Sequence, residues 1–439
     1  MVDSERAKRR ESLTSQSVAQ AHYQRLSGVS TPYECVRINL DSPERPAMDI
    51  AAIRQKIPTT KNVIYFNTGW SGPSPQSVLD AISQMLTFES AQGPTSRPVL
   101  DKHREAKAAA RAAFASMVGA SPEEIVLTEN TTRGINIVLS GLTWQPGDEI
   151  VTDDLEHSSG LVPSYQLRNR YGVSVKIATL SPADNEASIL EKLEEAISPR
   201  TRLLVLSHIM YSTGLRLPLG EVQRMAHRRG ARVLVDAAQS LGQIPLDMRA
   251  LESDYYAMPA HKWALGPDGV GALYVRKDLL RELVPTAVSG HAALSYDQAG
   301  QFEPALDSPE KFELTTSSAA LLAGATAALE FLQTVGMEQI EARWQALAEY
   351  LRQKLSAIPG VLVTSYPAGA TACGLVTFVP SGWEPRPLVD ALWARQKIVA
   401  RAVSYPPAAR ISVDFFNTEE ELDCVVDTVR TLIKEGPLQ

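Results

Sequence analysis

Between Ala231 and Tyr274 the chain reads ARVLVDAAQSLGQIPLDMRALESDYYAMPAHKWALGPDGVGALY. The run Val233-Leu234-Val235 is apolar without alternation and stops on one carboxylate, Asp236, with Gln239 just beyond. A short uninterrupted apolar run bounded by turn signals reads as a strand buried on both faces, the pattern of a parallel sheet covered by helices. The chain then returns through a second apolar stretch to His261-Lys262-Trp263 and a glycine-rich turn. Side chains just past the carboxyl ends of such strands line the crevice where these sheets bind ligands. Asp236 and Lys262 are therefore expected at two such ends.

Taken singly, Asp236 reads as a helix N-cap and Lys262 as an exposed surface amine. Taken together, a carboxylate and a lysine at neighbouring strand ends suit a cofactor that needs a pyridinium partner and a Schiff-base amine, as pyridoxal phosphate does. The order strand, Asp-Ala-Ala-Gln, His-Lys-Trp, Gly-Pro-x-Gly-Val-Gly resembles the core of the class V aminotransferase and cysteine desulfurase family, fold type I pyridoxal-phosphate enzymes. The similarity of element order runs from about Val63 to Thr418. It implies an α/β chain, with a large domain whose mostly parallel seven-stranded sheet lies between helices and a smaller α/β C-terminal domain. The expected division is an N-terminal extension over 1–47, a large cofactor-binding domain over 48–318 whose first residues join either domain, and a small domain over 319–439.

The 439 residues suffice for two such cores. A net charge of -7 leaves no electrostatic footprint for nucleic acid or an anionic membrane. Cys35, Cys373 and Cys424 are odd in number and widely spaced, which supports neither a disulfide framework nor a zinc site. Cys373, beside the strand-like run Gly374-Leu375-Val376-Thr377-Phe378, reads as a small buried apolar residue. No apolar run approaches the ~20 residues of a membrane span. The opening MVDSERAKRRESLTSQS has no apolar core of a secretory signal. A cytoplasmic enzyme acting on a small amino acid is the expectation.

Several segments offer further candidates. Asn67-Thr68-Gly69-Trp70-Ser71-Gly72-Pro73 is a turn-rich loop able to bring backbone close to a ligand. Asp101 to Val118 is alanine-rich and reads as a helix with Lys and Arg on its exposed positions. Thr131-Thr132-Arg133-Gly134-Ile135-Asn136 opens a helix after a strand, and a helix N-terminus supplies free amides to an anion. A lone threonine there is equally an N-cap. The resemblance makes Thr132 the phosphate ligand with Thr131 its neighbour. It also makes His157 the ring that stacks on the cofactor, Asp236 the partner of its pyridine nitrogen, Gln239 a donor to its 3-oxygen, and His261 and Lys262 the lysine motif. Arg410, in Arg-Ile-Ser, resembles the arginine that binds the substrate carboxylate, for which an arginine fork is suited; Arg401 and Asn67 are further substrate candidates. The family also implies a homodimer, with the loop Val288-Ser289-Gly290-His291 near the partner's phosphate.

The chain departs from the desulfurase pattern in three places. Tyr211 stands where desulfurases usually carry Asn, Pro259-Ala260 replaces the Ser-Gly before His261, and no cysteine lies between Arg401 and Arg410. A desulfurase needs a thiolate there to attack the substrate sulfur. The expected activity is β-elimination from a cysteine-derived amino acid such as cystine, a cysteine conjugate or a sulfoxide. Class V aminotransferase and isopenicillin N epimerase-like chemistry stand as alternatives.

Overall fold

The computed structural model describes residues 48–181, 184–366, 369 and 371–436; the extension expected over 1–47, with Cys35, lies outside the described residues. In chain order the first elements are α1 (Ile50–Gln55), β1 (Ile64–Tyr65), α2 (Gln76–Gln92), α3 (Arg97–Met117), β2 (Ile125–Thr128), α4 (Thr131–Gly141), β3 (Glu149–Asp153), α5 (Ser158–Tyr171), β4 (Ser174–Ala178), α6 (Glu186–Ala196), β5 (Thr201–Ser207), α7 (Leu219–Arg228), β6 (Arg232–Asp236), β7 (Tyr255–Pro259) and β8 (Gly271–Val275). A hairpin, β9 (Ala293–Tyr296) and β10 (Phe302–Pro304), precedes the long helices α8 (Ala319–Val335) and α9 (Met337–Ser356). The chain closes with β11 (Val361–Val363), β12 (Leu375–Pro380), α10 (Pro385–Gln396), β13 (Ile398–Val399), β14 (Arg401–Ser404), β15 (Pro407–Ser412) and α11 (Glu419–Glu435).

Seven strands form one sheet in the order β2-β8-β7-β6-β5-β3-β4. All neighbours run parallel except β8, which is antiparallel to β7 and β2. The reason lies in the connections. Strands β3 to β6 are joined through the helices α5, α6 and α7, as parallel pairing requires, whereas the link from Pro259 to Gly271 carries no helix and turns straight back. Val233, Leu234 and Val235 are fully buried, as their unbroken apolarity predicts for a central strand with helices on both faces. At one edge β4 exposes Ser174 and Lys176 beside Ile177, and the charged lysine discourages edge pairing.

A second sheet, β11-β12-β15-β14, is antiparallel throughout. The chain's first described segment is tied to this side of the molecule. β1 pairs in parallel with β13, Arg54 on α1 donates to the Phe416 carbonyl at 2.8 Å, and it pairs with Glu421 at 2.7 Å. Among the described residues no single helix is long and apolar enough to cross a bilayer; α8 and α9 pass only as a pair bent by 76°, and Ala325, Leu329, Trp344 and Leu351 on them are buried in the main core.

The alanine-rich helix α3 forms, but not all of its basic residues face solvent. Arg111 is buried, donating to both oxygens of Glu313 at 2.9 and 3.2 Å and to the Ile125 carbonyl. Lys107 adds a contact to Glu313 at 2.8 Å, and the Leu127 amide donates to the same carboxylate at 2.9 Å. Glu313 thus clamps α3 and β2 to the segment leading into α8. Removing one partner of a buried ion pair strands the other, at a cost of about 3–5 kcal/mol, whereas an exposed pair contributes ~0–1 kcal/mol. Glu313→Ala is expected to lower the urea unfolding midpoint far more than Arg281→Ala, which breaks only the exposed Arg281–Asp307 pair; equal midpoints for the two variants would refute the clamp.

Candidate active site

The carboxyl edge of the large sheet gathers the sequence candidates from five strands. Asp236 is the last residue of β6 and Ser207 the last of β5, and the two are register partners. β3 ends at Asp153 and delivers Glu156 and His157, the latter capping α5. β2 leads through Asn130, which caps α4 by accepting from the Arg133 amide, to Thr131 and Thr132. Lys262 lies on the helix-free turn between β7 and β8.

Asp236 is buried, and its carboxylate accepts one backbone hydrogen bond, from Ala238 at 2.8 Å. Burial raises its pKa, opposed by Lys262, that hydrogen bond and His157. Lys262 is pushed down to about 8, by burial first and then by Arg410 and Arg401, with Asp236 pulling the other way. A lysine with that value is neutral in an appreciable fraction near neutrality, as a nucleophilic amine must be. Burial likewise lowers His157. Its Nδ1 lies 3.2 Å from the Ser159 amide, an acceptor's position, so the ring is neutral. Ser159 links it onward, with Oγ 2.9 Å from His157 Nδ1 and 2.9 Å from Thr132 Oγ1. Thr132 is exposed at the head of α4, while the Thr131 hydroxyl is buried without a partner.

Gln239 is held at both ends of its amide. Nε2 donates to the Gly69 carbonyl at 2.9 Å, and Oε1 accepts from Trp263 Nε1 at 2.8 Å, leaving one amide hydrogen. His261 is half-buried, and its carbonyl accepts from the Gly72 amide at 2.6 Å. The loop Asn67–Gly72 comes so close that a Cβ at Gly72 would sit 2.1 Å from the Lys262 carbonyl oxygen, so only glycine fits.

The small sheet supplies the opposite wall. Arg410 on β15 is fully buried; Nη1 donates to the Tyr211 carbonyl at 2.7 Å, Nη2 stands 3.5 Å from Asn67 Oδ1, and Nε has no partner. Burial and then Arg401 disfavour its charge, so a buried guanidinium, which stays protonated, calls for an anion. Arg401 on β14 is its register partner and stacks 4.2 Å from the centroid of the Trp70 ring. Tyr211 meets His157 edge-on with centroids 5.0 Å apart. Neither Trp70 nor Ser159 was singled out from the sequence as a site residue, because nothing in their local pattern separates them from loop residues. Cys373 is fully buried and burial pushes its thiol up to about 11, which makes it inert as a nucleophile.

The residues fit pyridoxal phosphate. A buried carboxylate with a single amide partner suits a protonated pyridine nitrogen, a helix head with an unpartnered buried hydroxyl suits phosphate, and Lys262 is an amine of lowered pKa.

Comparison with known proteins agrees. The family model described as aminotransferase class-V matches residues 64–425. The structure of the cystine C-S lyase C-DES with its reaction product cysteine persulfide is 33% identical, with a TM-score of 0.81, covering 85% of this chain and 99% of that one. Isopenicillin N epimerase of Streptomyces clavuligerus is 30% identical over 391 residues, which are 85% of this chain and 96% of that protein. A probable cysteine desulfurase of Mycolicibacterium paratuberculosis is 32% identical over 90% of this chain, which spans 59% of that relative's length. With its mixed, mostly parallel seven-stranded sheet and its lysine and aspartate at the strand ends, the chain belongs to the class V aminotransferase family of fold type I, pyridoxal-phosphate-dependent enzymes.

Proposed function

We propose that this chain is a cytoplasmic, homodimeric carbon-sulfur lyase that cleaves a cysteine-derived amino acid with a carboxylate at each end, cystine being the simplest. The observation that carries this reading is the pair Arg401 and Arg410, register partners that both bear on Lys262 and contact no carboxylate among the described residues. Like charges directly opposite on two strands are destabilising, so the pair is best understood as waiting for anions. Arg410, fixed by Tyr211 and Asn67, suits the α-carboxylate; Arg401, half-buried on Trp70, suits the distal one. The likeness to the cystine lyase and the inert Cys373 support elimination over sulfur transfer to a thiol.

The cofactor, when bound, supplies an electron sink conjugated to the substrate's α-carbon. The protein's part follows from the geometry. Asp236 keeps the proton on the pyridine nitrogen. Neutral His157 would cover one face of the bound ring without adding a positive charge there. Arg410 orients the substrate by its carboxylate, which places the α-C–H near Lys262. The Lys262 amine takes the α-proton, and the C–S bond breaks with its electron pair leaving on sulfur. With cystine and one water the products are pyruvate, ammonia and cysteine persulfide, which balances atoms and electrons.

A second copy of the chain is assigned to the exposed apolar strip on the β9–β10 hairpin. Tyr296 and Phe302 are register partners, 67% and 63% exposed, and Leu294, in the bulge of the same hairpin, is 68% exposed. Sedimentation velocity is expected to give a dimer that Tyr296→Glu with Phe302→Glu converts to monomer; a native monomer would remove this part of the reading.

Purified holoenzyme given L-cystine is expected to release pyruvate and persulfide in equal amounts. Arg410→Lys should raise KM for cystine about 10- to 100-fold, the loss of a charge-assisted fork. Arg401→Ala should raise it about 10-fold for cystine and leave S-methylcysteine, with one carboxylate, within about twofold. Keto acid formed with the cofactor left in its amine form would make the protein an aminotransferase. A change of configuration at Cα without keto acid would favour the epimerase reading that the Streptomyces relative suggests.

The lowered value of Lys262 gives a pH prediction independent of substrate. Only the neutral amine captures the aldehyde, so the rate at which cofactor-free protein takes up pyridoxal phosphate should rise with pH and level off above about 8. A rate still climbing towards the ordinary lysine value of about 10.4 would show that the site does not depress the amine.

A further inference from the structure

Glu156 lies behind the groups described so far and belongs to none of their tasks. It follows β3 and precedes His157, and its carboxyl lies beneath the first turn of α5: a Cβ at Gly160 would be 3.1 Å from Glu156 Cγ and 3.3 Å from Cδ, so a glycine there leaves it room. One oxygen, Oε1, accepts from the His157 amide at 2.6 Å and from Ser207 Oγ at 2.7 Å. The other, Oε2, is buried and has no partner. Since Ser207 is the register partner of Asp236, and β5 lies between β3 and β6, the hydroxyl that holds Glu156 stands next to the carboxylate that faces the pyridine nitrogen.

The two charges that bear on it most are both negative. Asp153, on the last residue of β3, is fully buried with Oδ1 accepting from the Leu155 amide and Oδ2 unpartnered. Asp236 is on the other side. Burial, then Asp153 and Asp236, raise Glu156 well above the usual carboxylate range, and Ser207 and the His157 amide offset this only in part. Asp153 is itself raised to about 7, mainly by burial. The largest charge effects on Glu156 come from these two carboxyls. Three carboxyls share this part of the interior, and of them Asp236 is the one on which Lys262 bears. Buried charges need a partner, and an unpaired one is neutralised instead.

We propose that Glu156 is held as an uncharged carboxylic acid and acts as a positioning residue, fixing His157 through its backbone amide while leaving Asp236 as the only anion at the pyridine nitrogen. The proton sits on Oε2. Were Glu156 ionised, its charge would add to that of Asp236, stabilise every protonated nitrogen of the bound cofactor and oppose loss of the proton from Lys262. The proposal concerns the cofactor and is independent of the reaction that the site performs.

Two substitutions separate charge from position. Glu156→Gln is neutral and keeps an oxygen for the His157 amide and Ser207; Glu156→Ala removes both contacts. In Glu156→Gln the cofactor dissociation constant is expected to stay within about twofold and the pH midpoint of the bound cofactor's visible band to stay put. In Glu156→Ala the dissociation constant should rise at least about tenfold, and the circular dichroism of that band should change as His157 loses its anchor. The infrared difference between native and Glu156→Gln proteins in heavy water at mildly alkaline pH should show a protonated carboxyl stretch lost on substitution, a readout that holds even where Glu156→Ala does not fold. A midpoint displaced by a unit or more in Glu156→Gln, or a carboxylate stretch lost instead of a carboxylic one, would show that Glu156 is charged and overturn the proposal. Unchanged affinity and dichroism in a folded Glu156→Ala would overturn the positioning role.

Discussion

The interaction on which the site depends is between Asp236 and Lys262, a carboxylate and an amine at the ends of neighbouring strands in a desolvated crevice. Each shifts the other: Lys262 holds Asp236 below the value that burial alone would give it, and Asp236 keeps Lys262 above the value that burial and two arginines would impose. The balance depends on the sheet, since register fixes which residues end together. Ser207 and Asp236 are partners across β5 and β6, and a shift of one residue would turn Asp236 to the opposite face of the sheet.

The second wall of the site belongs to a different sheet, and the loop Asn67–Gly72 joins the two. It follows β1, which pairs with β13 beside the small sheet, and Asn67 itself bridges to Ser412 at the end of β15. Its far end touches the lysine turn, with the Gly72 amide on the His261 carbonyl and no space for a side chain against Lys262. Between these ends, the Gly69 carbonyl accepts from Gln239. The small sheet that carries Arg410 and the strand ends that carry Asp236 and Lys262 are therefore set relative to each other by one short loop whose glycines permit backbone-to-backbone approach.

What the sequence showed of this was uneven for physical reasons. Buried parallel strands have an unbroken apolar pattern, and a single charged residue at the end of such a run is conspicuous; Asp236 and the sheet around it were legible on that ground, and Lys262 with them through its glycine-rich turn. The facing of Arg401 and Arg410 was not, because it depends on the pairing register of β14 and β15, and spacing along the chain does not report which residues a hairpin places opposite one another. Arg111 was misread as exposed because an alanine-rich helix gives little apolar contrast, and its buried partner Glu313 lies far along the sequence. Glu156 was visible only as the residue before His157; that its carboxyl is enclosed among other acids is a property of tertiary packing alone.

This division also explains why the cofactor is easier to assign than the reaction. On the proposed assignment Asp236, His157 and Lys262 answer demands that pyridoxal phosphate makes whatever the substrate. Arg401, Trp70, Arg410 and Tyr211 sit on the other wall, where the proposed function puts the substrate. A departure such as Tyr211 leaves the electron sink intact, because Tyr211 binds Arg410 through its backbone carbonyl, which any residue supplies, and only its side chain faces His157. Arg401 and Arg410 also bear on Lys262 and His157, so a change in the second wall would alter the charge balance at the strand ends together with whatever the wall binds.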